Sequence, residues 1–370
     1  MRKAFLLIVG ISLFSRLISQ TNEVDLTRDF QFTFFYPLGT SFTNSVQHQY
    51  KFSINWIYGI NGGIDGLEFG AVLNSNIGAV NGCQLAGVGN LTADKANGFQ
   101  GAGIFNITGG PIQGVQAAGI FNICTSDIRG AQLTGVVGMA ADSVKFQASG
   151  VLSSSENVDG MQMAGVVNNS GNVNGVQMAG IVNKAKYVKG AQIASIFNIC
   201  DSIKGVPIAL VSYVKHNGYR KFEVSGTDLF YANLSYRIGV RKFHTIFSAS
   251  AFSNREHYDY GFGIGFGSNF MFSKRWSLDL NLLYYNIVRE LENSKKEQEL
   301  DNDAHIITFR THLMFDLTDK ISLFGGPAIN FLMAETGETA IGVAPGYTTI
   351  YKSGSIYTSN WFGFSAGIRF

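Results

Sequence analysis

Proline, charge and cysteine are all scarce in this chain. Only 5 of its 370 residues are proline and 15% are charged, well under the quarter usual for globular domains. A formal net charge of +2 gives no electrostatic reason to expect nucleic acid as a partner. Cys83, Cys124 and Cys200 form no CxxC pair, which excludes a disulfide framework and a zinc site of ordinary spacing. His48, His216, His244, His257, His305 and His312 are scattered, with no HExxH among them. A GxSxG elbow is missing, and the glycines of "YGFGIGFG" (260–267) lack the GxGxxG spacing of a nucleotide loop. These absences predict a protein without enzyme activity and without a cofactor or metal. No apolar run is long enough to cross a bilayer as a helix; the stretch 4–14, after Arg2 and Lys3, reads as a signal peptide over 1–19.

Glycine is plentiful at 44 residues, and aromatics reach 13%, a profile that favours strands and tight turns. Between 63 and 214 a nine-residue phrase, G-x-Q-h-A-G-h-h-N with h apolar, recurs in ten copies, as in "GMQMAGVVN" (160–168) and "GVQMAGIVN" (175–183). The first four steps are sixteen residues and the last five are fifteen. Gln stands third in eight copies, Glu68 and Pro207 being the exceptions. Two architectures produce such a period. In a parallel β-solenoid each copy is one coil, and Gln84, Gln100, Gln116, Gln132, Gln162, Gln177 and Gln192 stack into a ladder. Asn90, Asn106, Asn122, Asn168, Asn183 and Asn198 form a second ladder, with ligand contact a lesser possibility for both. In the alternative, each copy is a spanning strand of one large porin-like barrel. Up-and-down neighbours are antiparallel, so a barrel's identity should recur at the hairpin, about thirty residues. The observed period favours coils. Asn-x-Thr sequons at Asn90 and Asn106 recur only because the repeat does.

From about Thr227 the pattern becomes strict alternation. "WSLDLNLLY" (276–284) sets Trp276, Leu278, Leu280, Leu282 and Tyr284 against Ser277, Asp279 and Asn281, and "ITFRTHLMF" (307–315) alternates in the same way. Polar residues between large apolar ones fit a polar lumen backed by lipid. Short turns near 241–242, 273–275 and 318–320 alternate with longer connections near 254–257, 290–304 and 335–358. About seven strands fit between Thr227 and Phe370, and the strand at 29–38 is expected to close the barrel as the eighth. If 51–59 and 208–214 also span, the number becomes ten. In "ELDNDAH" (299–305), Asp301, Asp303 and His305 could offer Ca²⁺ ligands, although a solvated loop is the plainer reading.

The closing segment "WFGFSAGIRF" resembles the last strand of bacterial outer-membrane β-barrel proteins, ending on an aromatic. That resemblance implies that Phe370 is read by the barrel-assembly machinery. "FFYPLGT" (34–40), "NGGIDGLEFG" (61–70) and the repeat copies further resemble the surface-repeat outer-membrane proteins of Gram-negative bacteria. It implies location in the outer membrane, with lipid and an unidentified surface or envelope component as partners. The expectation is an all-β outer-membrane β-barrel of about 8–10 strands with a β-solenoid-like repeat region. It divides into a signal peptide (1–19), N-terminal barrel strands (20–62), repeats (63–214) and C-terminal barrel strands (215–370). The expected role is a non-enzymatic surface protein whose repeats make binding or structural contacts.

Overall fold

The computed structural model describes residues 27–254, 257–289, 301–335, 343, 348–354 and 356–370, of which almost all regular structure is strand. The segment expected to be a signal peptide lies outside the described residues. The chain divides after Gly205 into two compact units.

The first unit is a parallel β-solenoid; the protein has about 11 turns of it. Each sixteen-residue coil contains a seven-residue strand, such as Val80–Ala86 or Ala96–Ala102, and a four-residue strand, such as Gly89–Thr92 or Phe105–Thr108. Both pair in parallel with their equivalents one coil on, Gln84 opposite Gln100 and Asn90 opposite Asn106. In the fifteen-residue coils the two strands run together into thirteen-residue ones, Leu152–Ala164, Val167–Ala179 and Val182–Ala194. The register slips beside Lys145: Ile128 pairs with Val144 but Ala131 with Phe146. That slip is where one residue leaves the repeat, and Lys145 occupies the place that glycine holds in the other copies.

In the coils that keep it, glycine answers two constraints. Gly82, Gly98, Gly114 and Gly175 have φ between 117° and 142°, a region that side chains disfavour. A Cβ on Gly175 would also strike the carbonyl oxygen of Gly160 in the coil before. Parallel pairing excludes the single large barrel, because adjacent strands of a barrel wall built by hairpins run antiparallel.

Residues 29–38 do not close the barrel. Thr27–Phe35 is the first rung of the solenoid and pairs in parallel with Gln49–Asn61, Gln31 opposite Ser53 and Thr33 opposite Asn55. The segment 51–59 therefore belongs to the solenoid as well, and the expected N-terminal barrel strands at 20–62 are corrected accordingly. The alternation of residues 29–38 is real, but it separates a solenoid interior (Gln31, Thr33) from a solenoid exterior (Phe30, Phe32, Phe34).

The second unit contains a closed eight-stranded antiparallel barrel. Its strands are β1 (Tyr219–Thr227), β2 (Ala232–Val240), β3 (Phe243–Asn254), β4 (His257–Met271), β5 (Trp276–Arg289), β6 (Asp301–Asp316), β7 (Ser322–Ala334) and β8 (Ile356–Arg369). Closure is by β1 against β8, Glu223 opposite Arg369 and Thr227 opposite Ser365. Seven barrel strands do follow Thr227, and β1 supplies the eighth; the short strand Ile350–Ser353 pairs only with the start of β8. Val211–Val214 stands outside the eight. Eight strands enclose a lumen that side chains can fill, and here they fill it.

Candidate functional site: two buried polar interiors and an exposed apolar edge

Each solenoid coil sends four kinds of side chain inward. One is apolar, the row that includes Tyr50, Ile64, Val80, Ile112, Val158 and Val188, none more than 3% exposed. The second is the third-place Gln. Gln100 Nε2 donates to Gln84 Oε1 at 2.8 Å, Gln116 to Gln100 at 3.2 Å, and Gln132 to Gln116 at 2.9 Å. Through Gln147 the ladder continues, Gln162 donating to it at 2.8 Å, Gln177 to Gln162 at 2.9 Å and Gln192 to Gln177 at 2.8 Å. Every amide hands its proton toward the N-terminus.

The Asn row runs the other way. Asn74 donates to Asn90 at 2.9 Å, Asn90 to Asn106 at 2.7 Å, and Asn106 to Asn122 at 2.8 Å. It is interrupted where Gly138 and Ser153 stand in the Asn position, and Asn122 turns to Thr134 Oγ1 instead. It resumes with Asn168 to Asn183 at 2.9 Å and Asn183 to Asn198 at 3.0 Å. A second proton of each amide reaches a backbone carbonyl of the next coil, as Asn90 to Gly101 O. The fourth position is small or hydroxylic; Thr108 links Gln100 and Gln116, while Cys124 and Cys200 are buried there. Burial pushes both thiols up to about 12. The ladder residues are 0–2% exposed, so they are closed to any outside ligand, sugar included.

Glu68 explains its own exception to the Gln rule. A ladder whose donors all point one way needs an acceptor at that end. Glu68 Oε2 accepts from Gln84 at 2.9 Å and from Asn76 at 2.6 Å; Oε1 accepts from Asn55 at 2.9 Å and Asn61 at 2.8 Å. A glutamine would present a donor to two of these donors. Burial pushes the Glu68 carboxyl up to about 7, with the four amide donors opposing. At the far end Gln192 Oε1 has no hydrogen-bond partner, and the following copy carries Pro207, which has no side-chain amide.

The barrel is inside-out by the standards of a soluble protein. Phe262 is 61% exposed and Phe362 79%, and their outward neighbours include Phe222, Leu282, Phe309 and Phe331. The lumen holds buried charge instead. Glu223 Oε2 meets Arg237 Nε at 2.9 Å and Arg369 Nη2 at 2.7 Å; Asp279 Oδ2 meets Arg369 Nη2 at 2.7 Å and Arg237 Nη1 at 3.3 Å. Two cations and two anions from β1, β2, β5 and β8 thus form a neutral ring across the lumen. Arg237 Nη1 also reaches Asn281 Oδ1 at 2.7 Å, and Arg369 Nη1 reaches Tyr219 OH at 2.8 Å. Nearer the other end, an apolar cluster that includes Phe230, Leu283, Tyr285, Ile306 and Trp361 fills the interior.

Among the described residues no group of His, Cys, Asp and Glu is arranged to hold a metal ion. His305 packs on Tyr284 and its Nδ1 lies 2.9 Å from that hydroxyl; Glu299 lies outside the described residues, and nothing is described of the Asp301 and Asp303 side chains. His312 Nε2 is hydrogen-bonded to Ser365 Oγ, which has the outline of a nucleophile and base. However, His312 Nδ1 has no partner, so no carboxylate orients the ring, and both residues are buried in the lumen. Phe370, by contrast, is 50% exposed; its backbone exchanges hydrogen bonds of 2.9 and 2.8 Å with Phe222, and the two rings stack. The stacking of the Gln and Asn rows was legible in the repeat, whereas the lumen ring was not, because its members are single charges far apart in the chain.

A third feature is external. A groove of about 1170 Å³ runs along the solenoid over eight coils, from Leu85 to Ser195. Its floor is made of small residues at the fifth and sixth places of the copies, such as Ala118–Gly119, Ser149–Gly150 and Ala179–Gly180, and its wall is the preceding residue, Met163 and Met178 among them. Asp, Glu, Lys and Arg are all missing from its lining.

No family model and no curated protein matches this chain. Among solved structures, the crystal structure of Neisserial surface protein A matches over 41% of this chain and 92% of its own, at 11% identity and a TM-score of 0.26.

Proposed function

We propose that the protein is a non-enzymatic component of the Gram-negative envelope: an outer-membrane barrel that anchors a β-solenoid serving as a structural or binding module. The observation that carries this reading is the barrel's reversed polarity, with Phe262 and Phe362 outward and Arg237 and Arg369 buried. Water would not tolerate such a belt cheaply, whereas lipid would. A filled lumen speaks against a channel. The exposed Phe370 at the end of β8 suits the part of a barrel-assembly signal.

Connectivity supports one sidedness. The connections β2–β3, β4–β5 and β6–β7 are short (241–242, 272–275 and 317–321), whereas those of the opposite end include 290–300 and 335–355. Short turns face the periplasm in such barrels, and an even strand number leaves both chain ends there. The chain enters β1 at the short-turn end, and no described residue before Tyr219 belongs to a barrel strand. The repeats therefore fall in the periplasm under this reading. Residues 29–38 belong to the solenoid, so the repeats precede the barrel in the chain and are not an insertion between two of its strands. The test is fractionation: the protein should stay with outer membranes through alkaline and urea washes and migrate anomalously on unheated gels. Release by urea, with migration indifferent to heating, would overturn it.

A further inference from the structure

We infer that the groove along the solenoid is an interface with a second copy of this chain. Beside this floor of small residues, the next residue of the copies forms a ridge. Ile104, Ile120, Val136, Val151, Ile181 and Ile196 are 37–45% exposed and make one line of β-branched side chains. Backbone hydrogen bonds fix its spacing coil to coil: Ile120 N to Ile104 O at 3.0 Å, Val136 N to Ile120 O at 3.1 Å, Val151 N to Val136 O at 3.0 Å. A straight ridge beside a straight groove of the same repeat is self-complementary under a two-fold axis. Two copies running antiparallel would each lay a ridge in the other's groove, and the common spacing of about 4.8 Å per coil keeps every pair in step. The area is adequate: eight coils span roughly 38 Å, and five residues across about 16 Å, some 600 Å² before corrugation, close to the ~800 Å² per partner of a stable interface.

Lipid is the less suitable occupant. The groove lining holds no Trp or Tyr and no basic residue, the side chains that seat a protein at a bilayer interface. Charges sit elsewhere on the coil, as in the Lys186–Glu156 pair at 3.4 Å. The inference rests on the solenoid being a contact module, not on which compartment holds it.

The axis passes near Val136 and Val151, midway along the groove. In full-length protein with Cys83→Ser, Val136→Cys should cross-link to a dimer with a short bismaleimide, in native membranes and in mild detergent. Asn174→Cys, on an exposed strand position away from the ridge, should cross-link at least tenfold less. Adding Ile120→Arg and Ile181→Arg should cut the Val136→Cys dimer at least tenfold, with heat-modifiable migration retained as the sign of a folded barrel. Equal cross-linking at both cysteines, or a monomeric mass with no Val136→Cys dimer, would overturn the proposal. So would quenching of a Val136→Trp probe by brominated acyl chains without dimer formation, since lipid would then be the occupant. These outcomes are independent of fractionation, so failure here leaves the anchoring claim standing, and the reverse holds too.

Discussion

Glu68 is the residue at which the solenoid's hydrogen-bond logic is most exposed to test. Its carboxyl ordinarily titrates near 4.5 and is pushed up to about 7 in the fold by burial. The folded state therefore holds a proton that the unfolded chain releases between those values. Stability from protonated Glu68 is fully present below about 4.5 and is lost as pH rises to about 7, by an amount of order 3 kcal/mol. Thermal unfolding of the wild type should fall in midpoint across that window, and Glu68→Gln should flatten the slope. A slope unchanged in the variant would show that another group controls it. The exception was legible in the repeat, where Glu stands for Gln once, at the first copy. Its reason was not, because the direction in which a ladder of amides donates is a property of the stack.

Among the elements, the coil and the barrel strand behave differently under deletion. A coil is one period of the hydrogen-bond ladder, so removing residues 160–174 returns Gln147 to a Gln neighbour, Gln177, in register. That variant should fold with a far-ultraviolet spectrum per residue like the parent's and a midpoint lowered by a few degrees. Removing seven residues of the same coil would bring outward side chains into the interior, since facing alternates along a strand, and should abolish cooperative unfolding. A barrel strand has no such redundancy. Arg369 on β8 holds Glu223 on β1 and Asp279 on β5, so Arg369→Ala leaves buried carboxylates short of a cation. The expected cost is about 3–5 kcal/mol, read as loss of heat-modifiable migration at a lower temperature; an unchanged transition would mean that Arg237 alone suffices. Strand β1 itself was hard to read: "YRKFEVSGT" is nine residues long, carries two cations directly after its first residue and turns Glu223 inward. Residues 29–38 alternate more cleanly, yet alternation separates inside from outside in a solenoid as it does in a barrel.

At the scale of the whole molecule, the fifteen-residue period favoured stacked coils over a barrel wall, because a hairpin barrel would have doubled it, and the parallel pairing of the coils bears that out. Seven strands after Thr227 were legible from alternation and turn spacing. What the chain could not display were the things assembled from distant residues: the lumen ring and the identity of the closing strand. The most direct test of the central claim is sidedness. In intact cells, with Cys83→Ser as background, a membrane-impermeant maleimide should label Lys352→Cys, near the long connection before β8, and leave Asn174→Cys unlabelled until the outer membrane is permeabilised. Labelling of Asn174→Cys in intact cells, with Lys352→Cys protected, would contradict the account.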